Sequence, residues 1–496
     1  MTASRDHILI YLNGQRRELR GAEVFMTLSD YLRYERHLTG TKVVCAEGDC
    51  GACSVLVGAV KPETKADAVE YRVINACIQF MHGLDCCHII TIEGLPSEGD
   101  LHPVQSAMIK AQATQCGFCT PGFVMAAAGM IEHRGPGCQI STQQAKNYLT
   151  GNLCRCTGYL SIIQAMGQTD TQACLSIKDH YHPASVHQDL LQHTTQAVHL
   201  EQAPHRFVSP TTATAAAAAL SDGGQVFAAA TDLGVQHNKG HWSEQRAISL
   251  NLIPAMHRID INDQHTRVGA RVTLHALEEA LAEVQPEWAQ FMHIFASPQI
   301  KNNATLVGNV ANGSPIGDNL PWLLALDATL TLQGPTQSRQ VKLNDYYQGY
   351  KQFNRQEDEL ITHIDIPHRP AEGFLRLYKV SQRRDLDISC VSTAMLLTLD
   401  AEQRVEHAAI ALGGVAATAL RLPEFEQLLI GRSVTELTSD DSQQALGQQL
   451  AAQVKPLSDV RGSAAFRSQL VSNLWRKFML ELGDARAPTP EAKHGV

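Results

Sequence analysis

Thirteen cysteines stand in this chain of 496 residues, and eight of them form two quartets: Cys45, Cys50, Cys53 and Cys77, then Cys116, Cys119, Cys154 and Cys156. The first quartet is Cys-x4-Cys-x2-Cys with a fourth cysteine after 23 intervening residues. That is the plant-type spacing, which converges four thiolates on a 2Fe–2S cluster. Gly48, Gly51 and Ala52 lie among these cysteines, so the loop can come close to inorganic sulfide. Its amides can hydrogen-bond the sulfurs and set the potential, about −400 mV for an unmodified centre of this type. The second quartet is Cys-x2-Cys, 34 residues, then Cys-x-Cys. Alone it would also suit zinc. Beside a cluster-type quartet it reads as a second 2Fe–2S site, with Cys116 and Cys119 at a helix start, whose dipole favours an anionic group. Arg155 adds positive charge there. Cys86, Cys87, Cys138, Cys174 and Cys390 read as small buried apolar residues.

Holding these loops requires several scaffolds, and the length allows three or four domains. His7 to Leu19 alternates around Asn13-Gly14, a hairpin signal, and Thr27 to Asp30 offers helix caps before Tyr31-Leu32. Hairpin, helix and cysteine-rich loop give a β-grasp order over 1–96. Residues 97–170 turn helical, with expected helices over Val104 to Ala113, Gly122 to Glu132, Thr142 to Leu149 and Leu160 to Met166. Residues 171–205, rich in Gln, His and Thr, have weak periodicity and read as a linker. Short β runs alternate with helices over 206–371, a last α+β segment covers 372–483, and 484–496 is a polar tail expected to be disordered.

Net charge is −9 with both signs mixed, which leaves no footprint for nucleic acid or an anionic membrane. No apolar run approaches ~18 residues. The apolar stretch Ile8 to Leu12 is too short for a signal core. A cytoplasmic location is expected, and thiols kept reduced there point to metal or redox chemistry instead of disulfides.

Both quartets in this order, with Gln115-Cys116-Gly117-Phe118-Cys119-Thr120-Pro121-Gly122 and Thr150-Gly151-Asn152-Leu153-Cys154-Arg155-Cys156-Thr157-Gly158-Tyr159, resemble the iron–sulfur half of the molybdenum hydroxylases. That family includes xanthine dehydrogenase, aldehyde oxidase and carbon monoxide dehydrogenase. Arg134-Gly135-Pro136-Gly137-Cys138 is an insertion by comparison. Three later motifs extend the resemblance: Val226 to Leu233, Ser297 to Asp318, and Lys379-Val380-Ser381-Gln382-Arg383-Arg384-Asp385-Leu386-Asp387-Ile388-Ser389. The first two are similar to the family's flavin-binding loops, the third to the opening of its third flavin subdomain.

The resemblance implies a multidomain α+β chain: a β-grasp 2Fe–2S ferredoxin domain and an all-α 2Fe–2S domain, followed by two flavin domains. These are an FAD-binding α+β domain like that of vanillyl-alcohol oxidase and a C-terminal α+β flavoprotein domain. Carried over by position, the FAD contacts fall on Val226, Phe227, Ala228, Ala229, Ala230, Thr231, Asp232 and Leu233 of the first loop. The others are Phe295, Thr305, Leu306, Val307, Gly308, Asn309, Asp318, Ile361 and Lys379. Asp318 would accept from a ribityl or ribose hydroxyl, and Phe295 and Ile361 would pack on the ring systems. Two departures stand out. The family has glycine where Ala229 or Ala230 stands, and Val307 replaces the first member of a Gly-Gly pair. Alanine forced into positive φ costs about 1 kcal/mol, so weakened FAD binding is expected if these positions need it.

No stretch is left for a molybdopterin domain, so the resemblance implies the small subunit of a two-subunit bacterial enzyme of the xanthine dehydrogenase type. Its expected partner is a molybdopterin-binding large subunit, in a heterotetramer of two small and two large chains. Electrons from purine oxidation would pass to the Cys116/Cys119/Cys154/Cys156 cluster, then the Cys45/Cys50/Cys53/Cys77 cluster, then FAD and NAD⁺. Gln115 would face the pterin, and Arg383, Arg384, Asp385 and Tyr350 could border the NAD⁺ site. No acid or base of the purine chemistry is expected in this chain. The competing readings are the equivalent subunit of an aldehyde, nicotinate or carbon monoxide enzyme, and a flavin-free electron-transfer module.

Overall fold

The computed structural model describes residues 4–65, 68–98, 101–242 and 245–486. The Asn13-Gly14 signal makes a hairpin of strands Ile8–Leu12 and Gln15–Leu19, with both turn residues at positive φ (46° and 79°). Type I′ geometry of this kind matches the strand twist. The hairpin joins a five-stranded sheet in the order Gln15–Leu19, Ile8–Leu12, Cys87–Ile90, Ser54–Ala59, Tyr71–Asn75. Its central pair, Ile8–Leu12 and Cys87–Ile90, is parallel. Thr27 caps the helical stretch through its Oγ1, which accepts from the Asp30 amide at 3.2 Å.

The helical unit follows as Pro103–Lys110, Thr120–Arg134, Thr142–Leu149 and Leu160–Gly167. Helix Thr120–Arg134 buries every residue from Gly122 to Ile131 against the ferredoxin sheet and its neighbours, consistent with its Ala-rich, uniformly apolar sequence. The Arg134 to Cys138 insertion turns at Gly135 and Gly137 (φ 86° and 81°) and is tied to Thr171, whose Oγ1 donates to the Cys138 carbonyl at 2.7 Å.

Residues 171–205 correct the linker reading. They form helices Ile177–Tyr181 and Ala184–His193 and strand Val198–Gln202. Asp189 accepts from Tyr11 Oη at 2.8 Å and Arg16 Nε at 2.7 Å, which fastens this segment to the first hairpin. Glu132 receives the amides of Ile177 and Lys178 (2.7 and 2.9 Å) and so caps the first of these helices from another unit. The periodicity is weak because each element buries only one or two residues, such as Ile177, Leu190, Val198 and Leu200, against distant parts of the chain.

The flavin segment begins on strand Val198–Gln202, earlier than the expected start at 206. That strand pairs with His205–Ser209, which runs parallel to Arg246–Ser249, itself beside Gln225–Phe227. A second, antiparallel sheet is ordered Ile259–Ile261, His265–Gly269, Leu360–Pro367, Thr329–Gln333, Ser338–Lys342. The C-terminal unit is a four-stranded antiparallel sheet, Phe374–Val380, Val391–Leu399, Val405–Gly413 and Leu420–Arg421, covered by helices Asp440–Ala452 and Ala464–Arg486. The last helix continues through 484–486, the start of the expected tail; residues 487–496 lie outside those described.

Candidate functional site

The loop from Cys45 to Cys53 has no regular structure and is shaped by positive φ at Ala46, Gly48 and Gly51 (55°, 84° and 66°). Gly51 has no alternative: a Cβ there would stand 2.4 Å from the Gly151 carbonyl oxygen. Cys77 arrives from the short turn after strand Tyr71–Asn75. The sulfurs meet in pairs, Cys45 with Cys50 and with Cys77, and Cys53 with Cys77. Hydrogen bonds from Cys50 and Cys77 hold the Cys45 thiol far below its ordinary range, and Cys77 does the same for Cys53 against the opposing effect of burial. The donors, Cys50 and Cys77, are raised in turn. Four free thiols in contact, with Gly48, Gly51 and Ala52 among them, are a donor set that fits a 2Fe–2S cluster.

The second quartet meets in two pairs, Cys116 with Cys156 and Cys119 with Cys154. Cys156 Sγ lies 3.7 Å from Cys116 Sγ. Burial and then a hydrogen bond with Cys154 push Cys119 up to about 12. Burial opposes ionisation of Cys154, but the Thr157 hydroxyl (3.1 Å) and amide (3.4 Å) outweigh it and lower its pKa. Cys119 is the N-cap residue of helix Thr120–Arg134, as the sequence led us to expect, so that helix directs its positive end toward the sulfurs. Cys116 and Cys156 are exposed, and so are Phe118, Leu153, Tyr159 and Leu160 around them.

Direct hydrogen bonds join the two loops. The Leu153 amide donates to the Cys50 carbonyl at 2.9 Å, and Asn152 Nδ2 donates to the Gly51 carbonyl at 3.0 Å. Asn152 Oδ1 in turn accepts from Gln299 Nε2 at 2.8 Å, so the flavin segment grips the same junction. A second tie comes from Asn238, whose Nδ2 donates to the carbonyls of Cys77 (2.7 Å) and Ala46 (2.8 Å). Asn152 and Gln299 sit inside motifs legible in the sequence, but their bridging role is not; Asn238 carries no sequence signal at all.

A cavity of about 340 Å³ lies beside this junction. Gly48 and Asp49 of the first cysteine loop form one wall, and Phe295, Asn309, Asp318, Lys379 and Ser389 are among the residues forming the others. Four of the carried-over FAD positions therefore meet here: Phe295, Asn309, Asp318 and Lys379. Asp318 is held from two sides, because Lys379 Nζ and Ser389 Oγ each donate to one of its oxygens at 2.5 Å, all three buried or nearly so, and each oxygen keeps capacity for a further donor. Ile361 differs from expectation. It sits on strand Leu360–Pro367 opposite Leu332, in the flavin segment's own core, and does not line the cavity.

The remaining positions form two turns. Thr305 caps helix Leu306–Asn312, accepting from the Gly308 amide at 3.0 Å, and this places Val307 in helical conformation and buries it. Val307 thus does not need the glycine backbone. Val226 and Phe227 end strand Gln225–Phe227, Ala228 to Ala230 turn, and Thr231, Asp232 and Leu233 open helix Thr231–Asn238. Ala229 avoids positive φ; Ala230 does not, standing at φ 62°, ψ 18°. Arg271 Nη1 donates to the Ala228 carbonyl and its Nη2 to Asn251 Oδ1 at 3.1 Å, and burial pushes the guanidinium down to about 10. A cation behind the turn and a helix N-terminus ahead of it suit a phosphate-bearing cofactor. Helix Thr231–Asn238 then packs so closely on the turn carrying Cys77 that a Cβ on Gly234 would fall 2.2 Å from the Ile78 carbonyl oxygen.

Four family models cover this arrangement in chain order. Residues 10–90 match a 2Fe-2S iron-sulfur cluster binding domain, 91–167 a 2Fe-2S binding domain, 202–369 the FAD binding domain in molybdopterin dehydrogenase, and 376–482 the CO dehydrogenase flavoprotein C-terminal domain. The chain belongs to the molybdenum hydroxylase family. Among its relatives, xanthine dehydrogenase 2 of Arabidopsis thaliana is 27% identical over 95% of the chain, and aldehyde oxidase 2 of Rattus norvegicus is 27% identical over 97%. The chain spans about two fifths of those proteins (40% and 39%). Of solved structures, the reconstituted CO dehydrogenase from Oligotropha carboxidovorans is 27% identical with a TM-score of 0.51, covering 56% of this chain and 97% of that one. Among the described residues no helix is long and apolar enough to cross a membrane.

Proposed function

We propose that this chain is the iron–sulfur and FAD subunit of a xanthine dehydrogenase, carrying electrons from a molybdopterin centre on a partner subunit to NAD⁺. The observation that carries the proposal is continuity. The two cysteine loops are hydrogen-bonded to each other through Leu153 and Cys50, and the first loop's Gly48 and Asp49 are a wall of the flavin cavity. Bound at these positions, the clusters would relay single electrons and the flavin would combine them into a hydride for NAD⁺.

The chain's own residues have separable tasks in this reading. Cys45, Cys50, Cys53 and Cys77 hold one cluster and Cys116, Cys119, Cys154 and Cys156 the other. The first-loop positions Val226 to Leu233, with Thr305 to Asn309, receive the FAD phosphates, while Phe295 packs on its ring system. The Lys379–Asp318–Ser389 set keeps one cavity wall rigid and close to neutral. The exposed Phe118, Leu153, Tyr159 and Leu160 surround the two exposed cysteines and supply an apolar face for the molybdopterin subunit, in a heterotetramer of two chains of each kind. Arg383 and its neighbours Arg384 and Asp385 are the acceptor side, since Leu386, Asp387 and Ile388 of the same loop line the cavity. A cytoplasmic location belongs to the same reading.

Xanthine is favoured because xanthine dehydrogenases align along nearly the whole chain, clusters and flavin segment together, whereas the CO dehydrogenase chains align over 55–57% of it. An aldehyde oxidase aligns as fully, which makes aldehydes the second reading. Expression with its partner subunit and an assay of xanthine-dependent NAD⁺ reduction test the proposal. Activity on aldehydes alone would overturn the substrate, reduction of oxygen in place of NAD⁺ would overturn the acceptor, and a visible spectrum with clusters but no flavin bands would overturn the flavin role.

A further inference from the structure

Away from this path, three parts of the chain meet at a group of side chains that none of these roles uses. His133 lies at the C-terminal end of helix Thr120–Arg134 in the helical unit. His275 and Glu279 lie one turn apart on helix Leu274–Ala280 of the flavin segment, on one face. Arg72 reaches in from strand Tyr71–Asn75 of the ferredoxin sheet. One ligand atom from each of His133, His275 and Glu279 lies within 4.8 Å of the other two. His275 Nε2 is 3.2 Å and His133 Nε2 3.9 Å from the same oxygen, Glu279 Oε1.

These separations are those of ligands around one ion. A tetrahedral centre with bonds of about 2.0–2.2 Å sets its ligands roughly 3.3–3.5 Å apart. The pair on the flavin helix already meets that spacing, and His133 closes on Glu279 Oε1 with a shift of about half an ångström, within the reach of a χ adjustment. His275 Nε2 is also buried, and its approach to the carboxylate lacks the geometry of a hydrogen bond. A buried nitrogen of this kind needs a partner. Two imidazoles and one carboxylate suit zinc or another late first-row ion and not calcium or magnesium, which prefer all-oxygen sets.

We propose that His133, His275 and Glu279 form a divalent-metal site of the zinc class that clamps the helical 2Fe–2S unit to the flavin segment. Arg72 is its built-in competitor. Its Nη1 donates to His133 Nδ1 at 2.7 Å, and its Nη2 stands 3.6 Å from Glu279 Oε2, so without metal the guanidinium supplies the positive charge. Guanidinium only donates, so this contact makes Nδ1 the acceptor and leaves the proton of a neutral His133 on Nε2. Ligation through Nε2 requires the proton on Nδ1, and Arg72 must then withdraw. Glu70 is ready to retain it, already accepting from Arg72 Nε and Nη2 at 3.1 and 2.7 Å. A water completes the coordination, since His133 and Glu279 are partly open to solvent.

The test is equilibrium dialysis of the full-length, cluster-loaded chain against buffered Zn²⁺, with zinc and iron both counted by mass spectrometry. The expected result is one zinc per chain with iron unchanged, which separates this site from exchange at the cysteines. His275→Ala and His133→Ala should each weaken zinc by ~100-fold or more, beyond what loss of an outer partner usually costs. Arg72→Gln should tighten it by roughly tenfold, a gain within the range outer-shell changes produce and one that misfolding cannot mimic. Zinc should raise the melting temperature of the unmodified chain and not of His275→Ala. No retained zinc, zinc retained equally by His275→Ala, or Arg72→Gln binding no tighter than the unmodified chain would each overturn the proposal.

Discussion

Ala230→Gly isolates the departure from family pattern that the backbone makes consequential. A non-glycine residue in the left-handed region carries a cost of roughly 1–2 kcal/mol, and Ala230 sits there at φ 62°. Glycine removes that cost but adds about 0.5–1 kcal/mol through the freedom it gives the unfolded chain. The net is a stabilisation of about 0.5 kcal/mol, or ~1–2 °C for a unit of this size. The turn already holds this shape, with the Gly234 amide on the Ala230 carbonyl at 2.8 Å and Arg271 on Ala228, so the strain is met on folding and FAD affinity should change less than about threefold. The other two positions predict the opposite sign. Ala229→Gly should cost ~0.5–1 kcal/mol of backbone entropy without relief. Val307→Gly should cost about 3 kcal/mol, from a buried valine and a helical glycine together. Thermal melts of the three variants followed by flavin release, with FAD titrations beside them, measure all of this. If Ala230→Gly is destabilised as much as Ala229→Gly, the strain argument is wrong; if it binds FAD more than tenfold tighter, the turn is not preorganised.

Other substitutions read the junction and the pH response. Gly234→Ala drives a methyl toward the Ile78 carbonyl oxygen and should cost ~1–3 kcal/mol, with flavin lost at lower temperature and the line shape of the reduced first cluster altered in electron paramagnetic resonance. Lys379→Met leaves Asp318 buried and unpaired and should cost about 3–5 kcal/mol, whereas Lys379→Met with Asp318→Asn should regain at least half of it; urea melts of the cycle check this, and additive losses would show that the pair is not coupled. His88 accepts the Gly14 amide at Nε2 (3.0 Å) and so presents Nδ1–H to Tyr71 Oη (2.9 Å), and burial, then His182, pushes it down to about 3. The unfolded chain takes up this proton below pH ~6.5 and the folded one does not, so stability should fall on acidification, by about 2 kcal/mol from pH 7 to 5 for this group alone. Melts at these pH values should show a shallower fall in His88→Gln, and an equal fall would assign the effect elsewhere.

How much was legible follows from the range of the interactions involved. The hairpin at Asn13-Gly14, the Thr27 cap and helix Thr142–Leu149 rest on neighbours a few residues away, so local sequence is enough to place them. Residues 171–205 were illegible because their order comes from partners far off in the chain, Asp189 on Tyr11 and Arg16 and the Ile177 amide on Glu132. The same distinction runs through the site. Asn309 and Asp318 belong to one motif and Lys379 to another; with Phe295 they line one cavity, and the bonds from Lys379 and Ser389 to Asp318 carry no sequence signal.

The chemistry this chain can host is legible in the order of its residues: eight cysteines at spacings that only a few metal centres accept, and loops of the flavin type in a fixed order. Those are properties of covalent spacing and side-chain identity, which survive in one dimension. Tertiary structure alone decided that the two cysteine loops share hydrogen bonds, that Asn238 and Gln299 fasten the flavin segment to them, and that of three non-glycine residues only Ala230 bears strain. Backbone angles and contacts between residues a hundred or more positions apart exist only once the chain has folded, because packing selects them and no local preference does.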